Sequence, residues 1–124
     1  MGGRDPRRAY RQRLGARGED RAADWYRAAG YDVVARNWRC AEGELDLVVG
    51  RPGELVFCEV KTRSSDRFGV PAEAVTIAKQ RRLRTLAARF LAADVLDAGT
   101  AGRNIRFDVV AVSGSTVDVI EAAF

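Results

Sequence analysis

The chain contains no histidine, and its two cysteines, Cys40 and Cys58, form no CxxC pair, so the usual zinc-binding sets cannot be assembled. Both thiols read as ordinary small residues, Cys58 in a core and Cys40 near a loop. No apolar run approaches the roughly 18 residues of a membrane span, and no membrane partner is expected. The Arg-rich start, "MGGRDPRRAYRQRLGARGED", is not followed by an apolar segment, which argues against a secretory signal and makes a cytoplasmic protein the expectation. Internal repeats and low-complexity tracts are absent beyond that start.

Lysine is almost as scarce. Of 21 basic residues, 19 are Arg and only Lys61 and Lys79 are Lys. Where a generic positive charge suffices this sequence uses Arg, so a retained ammonium draws interest. Lysine is a compact point charge whose pKa moves readily, which suits positioning or activating a water.

With 124 residues and 47% hydrophobic content, the chain is long enough for one core and too short for two ordinary domains. A single domain over residues 1–124 is expected, with 1–14 as a basic N-terminal extension. The net charge of +4 is unevenly spread: residues 1–40 hold ten Arg against five acids, 61–90 hold eight bases against two acids, and 41–60 hold one base against five acids. An acidic centre flanked by basic segments would suit a polyanion gripped by its phosphates and a divalent cation where they converge. Solvated helix faces in an Arg-rich background are the plainer reading.

Periodicity gives the elements. Residues from about Arg7 to Ala29 lack proline, and Gly18, Ala22, Trp25 and Ala29 recur at helical spacing before Gly30, a C-cap candidate. "YDVVARNW", "ELDLVV" and "ELVFCEVK" read as strands, the last two joined by "GRPG", where Pro52 and Gly53 suit the centre of a tight turn. A helix from Thr76 to Ala93 places Leu83, Leu86, Ala87, Phe90 and Leu91 on one stripe, with Thr76 as N-cap. "NIRFDVVAV" and "TVDVIEAAF" read as a hairpin around "SGS". The predicted fold is α/β, a central mixed five-stranded sheet flanked by helices in the order α-β-β-β-α-β-β.

Within this pattern "CEVK" sets Glu59 and Lys61 inside an apolar strand, where an unpaired charge is costly. If Gly50 faces Gly53 across the turn, Asp46 stands opposite Phe57 and Glu44 opposite Glu59. Glu44, Asp46, Glu59 and Lys61 then share one face, while Leu45, Leu47, Val49, Val56, Cys58 and Val60 share the apolar one. A solvated hairpin with cross-strand charges would explain this, but three like charges on adjacent positions repel and one lysine cannot neutralise them all. A hard divalent cation can.

"GELDLV" followed by "FCEVKTR" resembles the D…ExK half of the PD-(D/E)XK nuclease superfamily, in the branch similar to archaeal Holliday-junction resolvases. With "GARGEDRAADWY", "GYDVVARNWR", "EAVTIAKQRRL" and "RFDVVAV" in the same order, the stretch from about Gly15 to Val112 resembles the bacterial YraN family of uncharacterised nuclease-like proteins. The resemblance implies a restriction endonuclease-like fold and a Mg²⁺- or Mn²⁺-dependent endonuclease acting on nucleic acid, DNA first, including branched or repair intermediates. Asp46 and Glu59 would bind the metal with the Val60 carbonyl, and Lys61 would position or activate the attacking water and stabilise developing charge. Glu19 matches an acid the superfamily often adds from its first helix, with a surface ion pair as the alternative. Gln80 falls where some branches place a polar residue facing the site, and Lys79 would contact phosphate; a solvent-facing helix surface would account for both.

Glu44 and Asp108 do not map cleanly: Glu44 would lie behind the ligands, and Asp108 is either a third acid or a structural partner of an Arg such as Arg106. The proline of the superfamily pattern is replaced by Leu45. Phosphate contacts are expected from Arg7, Arg8, Arg11, Arg13, Arg17, Arg63, Lys79, Arg81, Arg82 and Arg84. Resolvase-like relatives often act as homodimers. A non-catalytic nucleic-acid-binding accessory protein and a protein-interaction role are the competing functions.

Overall fold

A helix opens the fold, from Pro6 to Ala28 (α1), in a computed structural model that describes residues 6–63, 75–93 and 103–124, with side chains of α1 from residue 15 onward together with Arg7. Residues 6–14 therefore continue α1 rather than trailing from it. Small residues let this helix lie close to the sheet: Ala22 and Ala23 are fully buried beside Tyr26, while Trp25 is only partly buried. The helix stops where the Gly30 and Tyr31 N–H groups turn back to the Arg27 and Tyr26 carbonyls, at 3.0 and 2.9 Å, a Schellman closure.

Three antiparallel strands follow: β1 (Asp32–Cys40), β2 (Gly43–Arg51) and β3 (Glu54–Arg63). A second helix, α2 (Ile77–Ala92), precedes β4 (Asn104–Ser113) and β5 (Thr116–Ile120). The five strands form one sheet in the order β1-β2-β3-β4-β5, mixed because β4 runs parallel to β3. A parallel neighbour requires a crossover, and α2 lies on that connection. Thr76 caps α2, its hydroxyl accepting from the Lys79 N–H at 3.2 Å. Leu83, Leu86, Ala87 and Phe90 turn inward as expected, whereas Leu91, placed on the same stripe from the sequence, is 40% exposed. The apolar arc of α2 is narrower than its leucine spacing suggests.

Helices cover both faces of the sheet, and this corrects the one-sided hairpin of the sequence reading. Leu47, Val49, Val56 and Cys58 pack beneath α1, while Val48, Leu55 and Phe57 pack beneath α2. Strands buried on both faces read as continuous apolar runs, and alternation cannot then separate core from solvent. Leu45 also parts company with Leu47, joining the α2 cluster. Residues two apart on a regular strand share a face, so the alternation of β2 breaks at Asp46.

The register differs as well. Pro52 and Gly53 occupy the centre of the turn, Gly53 with a φ of 81°, and Arg51 pairs with Glu54. The pairing continues to Leu47↔Cys58. This is two residues away from the register in which Gly50 faces Gly53. Because strand side chains repeat every two residues, such a slip keeps Asp46 and Glu59 on matching positions and brings them closer.

Candidate functional site

The β2–β3 ladder ends at Leu47↔Cys58, while β1 and β2 stay paired as far as Cys40↔Gly43. The two central strands therefore part beyond Leu47. At the fork the Val60 N–H donates to Asp46 Oδ2 at 2.9 Å, a side chain serving where a β2 carbonyl would otherwise accept. Val60 thus meets Asp46 through its N–H, in addition to the carbonyl that the resemblance assigns to a metal.

Around Asp46 the fold gathers charge from three elements. Glu59 lies on β3, Glu44 on β2 and Glu19 on α1, and all three carboxylates act on Asp46. Burial first, then the neighbouring Glu59 charge, push the Asp46 carboxyl up to about 7 against the stabilising Val60 N–H. Burial also raises Glu19, opposed chiefly by Arg36. Glu59 pairs with Lys61, whose Nζ stands 3.1 Å from Glu59 Oε1. Glu44 is held by Arg39, Nε to Oε2 at 3.2 Å.

Gly18 brings α1 to the fork. A Cβ there would stand 1.9 Å from Thr62 Oγ1, so only glycine allows the helix to touch the end of β3 at this distance. The following residue, Glu19, is thereby delivered beside Asp46. Its Oε2 lies 2.7 Å from one end of the side-chain amide of Asn37, the end to which the surrounding acceptors assign the nitrogen, and sequence reasoning missed this residue. The available signal was an asparagine inside an apolar strand, since asparagine is enriched in left-handed backbone and Asn37 has a φ of 52°.

Lys61 and Lys79, the only lysines of the chain, meet here. The adjoining Lys61 charge is the main reason the Lys79 amine is held below the usual lysine range. Gln80 Nε2 donates to the Val75 carbonyl at 3.1 Å, tying the start of α2 to the preceding segment. Arg81, Arg82 and Arg84 are exposed along α2, with Arg84 lying over the Phe107 and Phe124 rings at 5.3 and 5.4 Å. Arg7 and Arg17 are exposed on α1, and Arg63 is half-buried at the end of β3. The side chains of Arg8, Arg11 and Arg13 lie outside the described residues.

Asp108 belongs to a different cluster. It is fully buried and receives Arg106 bidentately, Nε to Oδ1 at 2.8 Å and Nη2 to Oδ2 at 2.9 Å. The Tyr26 hydroxyl donates to Oδ2 at 2.6 Å and the Ala122 N–H to Oδ1 at 3.0 Å. Of the two roles left open for Asp108, the structural one is observed.

The fork offers a hard divalent cation donors of the right chemistry: Asp46 and Glu59 bring carboxylate oxygens to the place where β2 and β3 part, and Asp46 accommodates its own charge poorly. Among the described residues no three or more His, Cys, Asp or Glu side chains form a ready-made metal cluster. Two carboxylates with water in the remaining positions is the manner in which Mg²⁺ is commonly held.

A mixed five-stranded sheet between two helices, with Asp46, Glu59 and Lys61 at the fork of its central strands, defines a restriction endonuclease-like α/β domain. The chain belongs to the uncharacterised protein family UPF0102, whose family model matches residues 18–112; this is the YraN family of the sequence resemblance. A UPF0102 protein of Beutenbergia cavernae is 58% identical over 100 residues, 80% of either chain. One of Rhodococcus jostii is 49% identical over 104 residues, covering 84% of this chain and 85% of its own. A UPF0102 protein of Moorella thermoacetica is 46% identical over 120 residues, covering 92% of this chain and 97% of its own. No helix among the described residues is long and apolar enough to cross a membrane.

Proposed function

We propose that the protein is a metal-dependent nuclease that hydrolyses phosphodiester bonds in nucleic acid, with DNA, including branched repair intermediates, as its substrate. The observation that carries this reading is the meeting of Asp46, Glu59 and Lys61 where β2 and β3 part, with Glu19 delivered beside them. Bound between Asp46 and Glu59, Mg²⁺ or Mn²⁺ would acidify a coordinated water and offset negative charge on the phosphate.

The chain's own groups supply the rest. The Val60 N–H fixes the Asp46 carboxylate, and Lys61, anchored on Glu59 Oε1, can hold a water or a phosphate oxygen without leaving its ion pair. Lys79 adds a second ammonium beside Lys61, and two point charges at one spot favour an anion there. The exposed Arg81, Arg82 and Arg17 extend that preference along the two helices, where each phosphate neutralised releases counterions.

Purified protein incubated with branched, duplex and single-stranded DNA, with and without Mg²⁺ or Mn²⁺, tests the reading. Cation-dependent cleavage is expected for the native chain. Asp46→Asn should lose both cleavage and the cation-linked rise in melting temperature, because an amide brings no charge to the cation. Lys61→Ala should keep that rise and lose cleavage, since no metal ligand is removed. Salt-sensitive DNA binding with no cleavage and no cation-linked stabilisation would support the accessory-protein reading instead.

A further inference from the structure

Asn37 stands in the middle of β1 with a φ of 52°, a left-handed conformation that non-glycine residues seldom adopt within a strand. The pairs Arg36↔Leu47 and Trp38↔Leu45 bracket it, which sets it across from Asp46. Its side chain spans two acids from different elements, the amide nitrogen lying 2.8 Å from Glu44 Oε1 and 2.7 Å from Glu19 Oε2. With the amide reversed, its oxygen would face both carboxylates and be repelled, so the hydrogen-bond pattern assigns the nitrogen to that side. Arg39 holds the second oxygen of Glu44, which fixes one end of the bridge. The other end holds Glu19, one of the acids whose charge reaches Asp46.

On the nuclease reading of the fork, on which this rests, we propose that Asn37 is a positioning residue: by bridging Glu44 and Glu19 it holds the Glu19 carboxylate beside Asp46 and so sets the affinity of the site for its divalent cation. Asn37 makes no contact with the cation itself. It acts through Glu19, whose charge reaches the ligand Asp46, and its unusual backbone conformation is what lets a β1 side chain reach α1 and β2 together.

The test is a Mg²⁺ titration of the full chain followed by melting temperature, a readout independent of turnover. Asn37→Gly removes the amide while keeping a residue that accepts the left-handed φ; should it fail to fold, Asn37→Ser serves, its hydroxyl being too short to span both acids. Loss of the bridge is expected to raise the Mg²⁺ midpoint by about tenfold, the lower end of the usual effect of groups that orient metal ligands. In a Glu19→Gln background the same substitution should change the midpoint little, because the group through which Asn37 acts is already altered. An unchanged midpoint in Asn37→Gly, or an equal increment in both backgrounds, would overturn the proposal while leaving the nuclease reading intact. A native chain whose melting temperature ignores Mg²⁺ would remove that reading, and the proposal with it.

Discussion

Asp108 and Asp46 sit in the same sheet, both drawn out of water, and their surroundings are opposite. Asp108 receives a bidentate guanidinium, a tyrosine hydroxyl and a backbone N–H, and beyond it Arg106 also pairs with Glu54, itself bonded to Arg51 and Tyr31. Asp46 receives one N–H and faces three other carboxylates. A fully satisfied buried carboxylate holds a fold together, whereas a crowded one with a single donor favours its protonated form or a cation beside it. On the proposed nuclease reading, the comparison separates a structural acid from a functional one without reference to motif.

The largest expected effect tests the structural side. Asp108→Ala leaves Arg106 and the Tyr26 hydroxyl without their buried partner and should cost about 3–5 kcal/mol in urea denaturation, with or without Mg²⁺. A loss near zero would erase the distinction between the two acids.

The functional side is tested by pH. A native Asp46 carboxyl raised to about 7 lies above its unfolded value of about 4, so between those limits the native state binds more protons than the unfolded one. The associated stabilisation is fully present below the unfolded value and is lost as pH rises through 7. Metal-free protein should therefore be less stable at pH 8 than at pH 5, by an amount on the order of a few kcal/mol, and melt lower, and Asp46→Asn should flatten that slope. Mg²⁺ should stabilise most at pH 8, where no proton competes. A rise in metal-free melting temperature from pH 5 to pH 8 would contradict the sign.

Smaller effects sharpen the geometry. Gly18→Ala forces a methyl against Thr62 and should cost about 1–3 kcal/mol by overpacking, together with a weaker Mg²⁺ response as Glu19 withdraws. Equal stability and equal Mg²⁺ response would show that α1 does not need this approach. Thr76→Ala removes the α2 cap and should cost about 1 kcal/mol by thermal melting, while loosening the turn that carries Lys79.

Much of the fold is legible in the residues. Leu83, Leu86, Ala87 and Phe90 at helical spacing place the inner face of α2, and Pro52-Gly53 between two apolar runs places the β2–β3 turn. The acids and lysine of the fork stand out as charges in an apolar run. Less legible is their arrangement. A register slip of two residues leaves every side chain on the same face, so periodicity could not choose between Glu44 and Asp46 as the neighbour of Glu59.

What the sequence by itself determined is which groups exist to be assembled: no imidazole, two lysines, and carboxylates concentrated in residues 41–60. Those identities bound the chemistry whatever the fold. Only the tertiary structure decided that Asp108 would be compensated and Asp46 would not, that both lysines would meet, and that Asn37 would join β1 to α1 and β2. Compensation depends on distances between elements remote in the chain, and Tyr26 reaches Asp108 across 82 positions. No local pattern encodes a contact of that kind, because it forms only when α1 packs onto the sheet over β4.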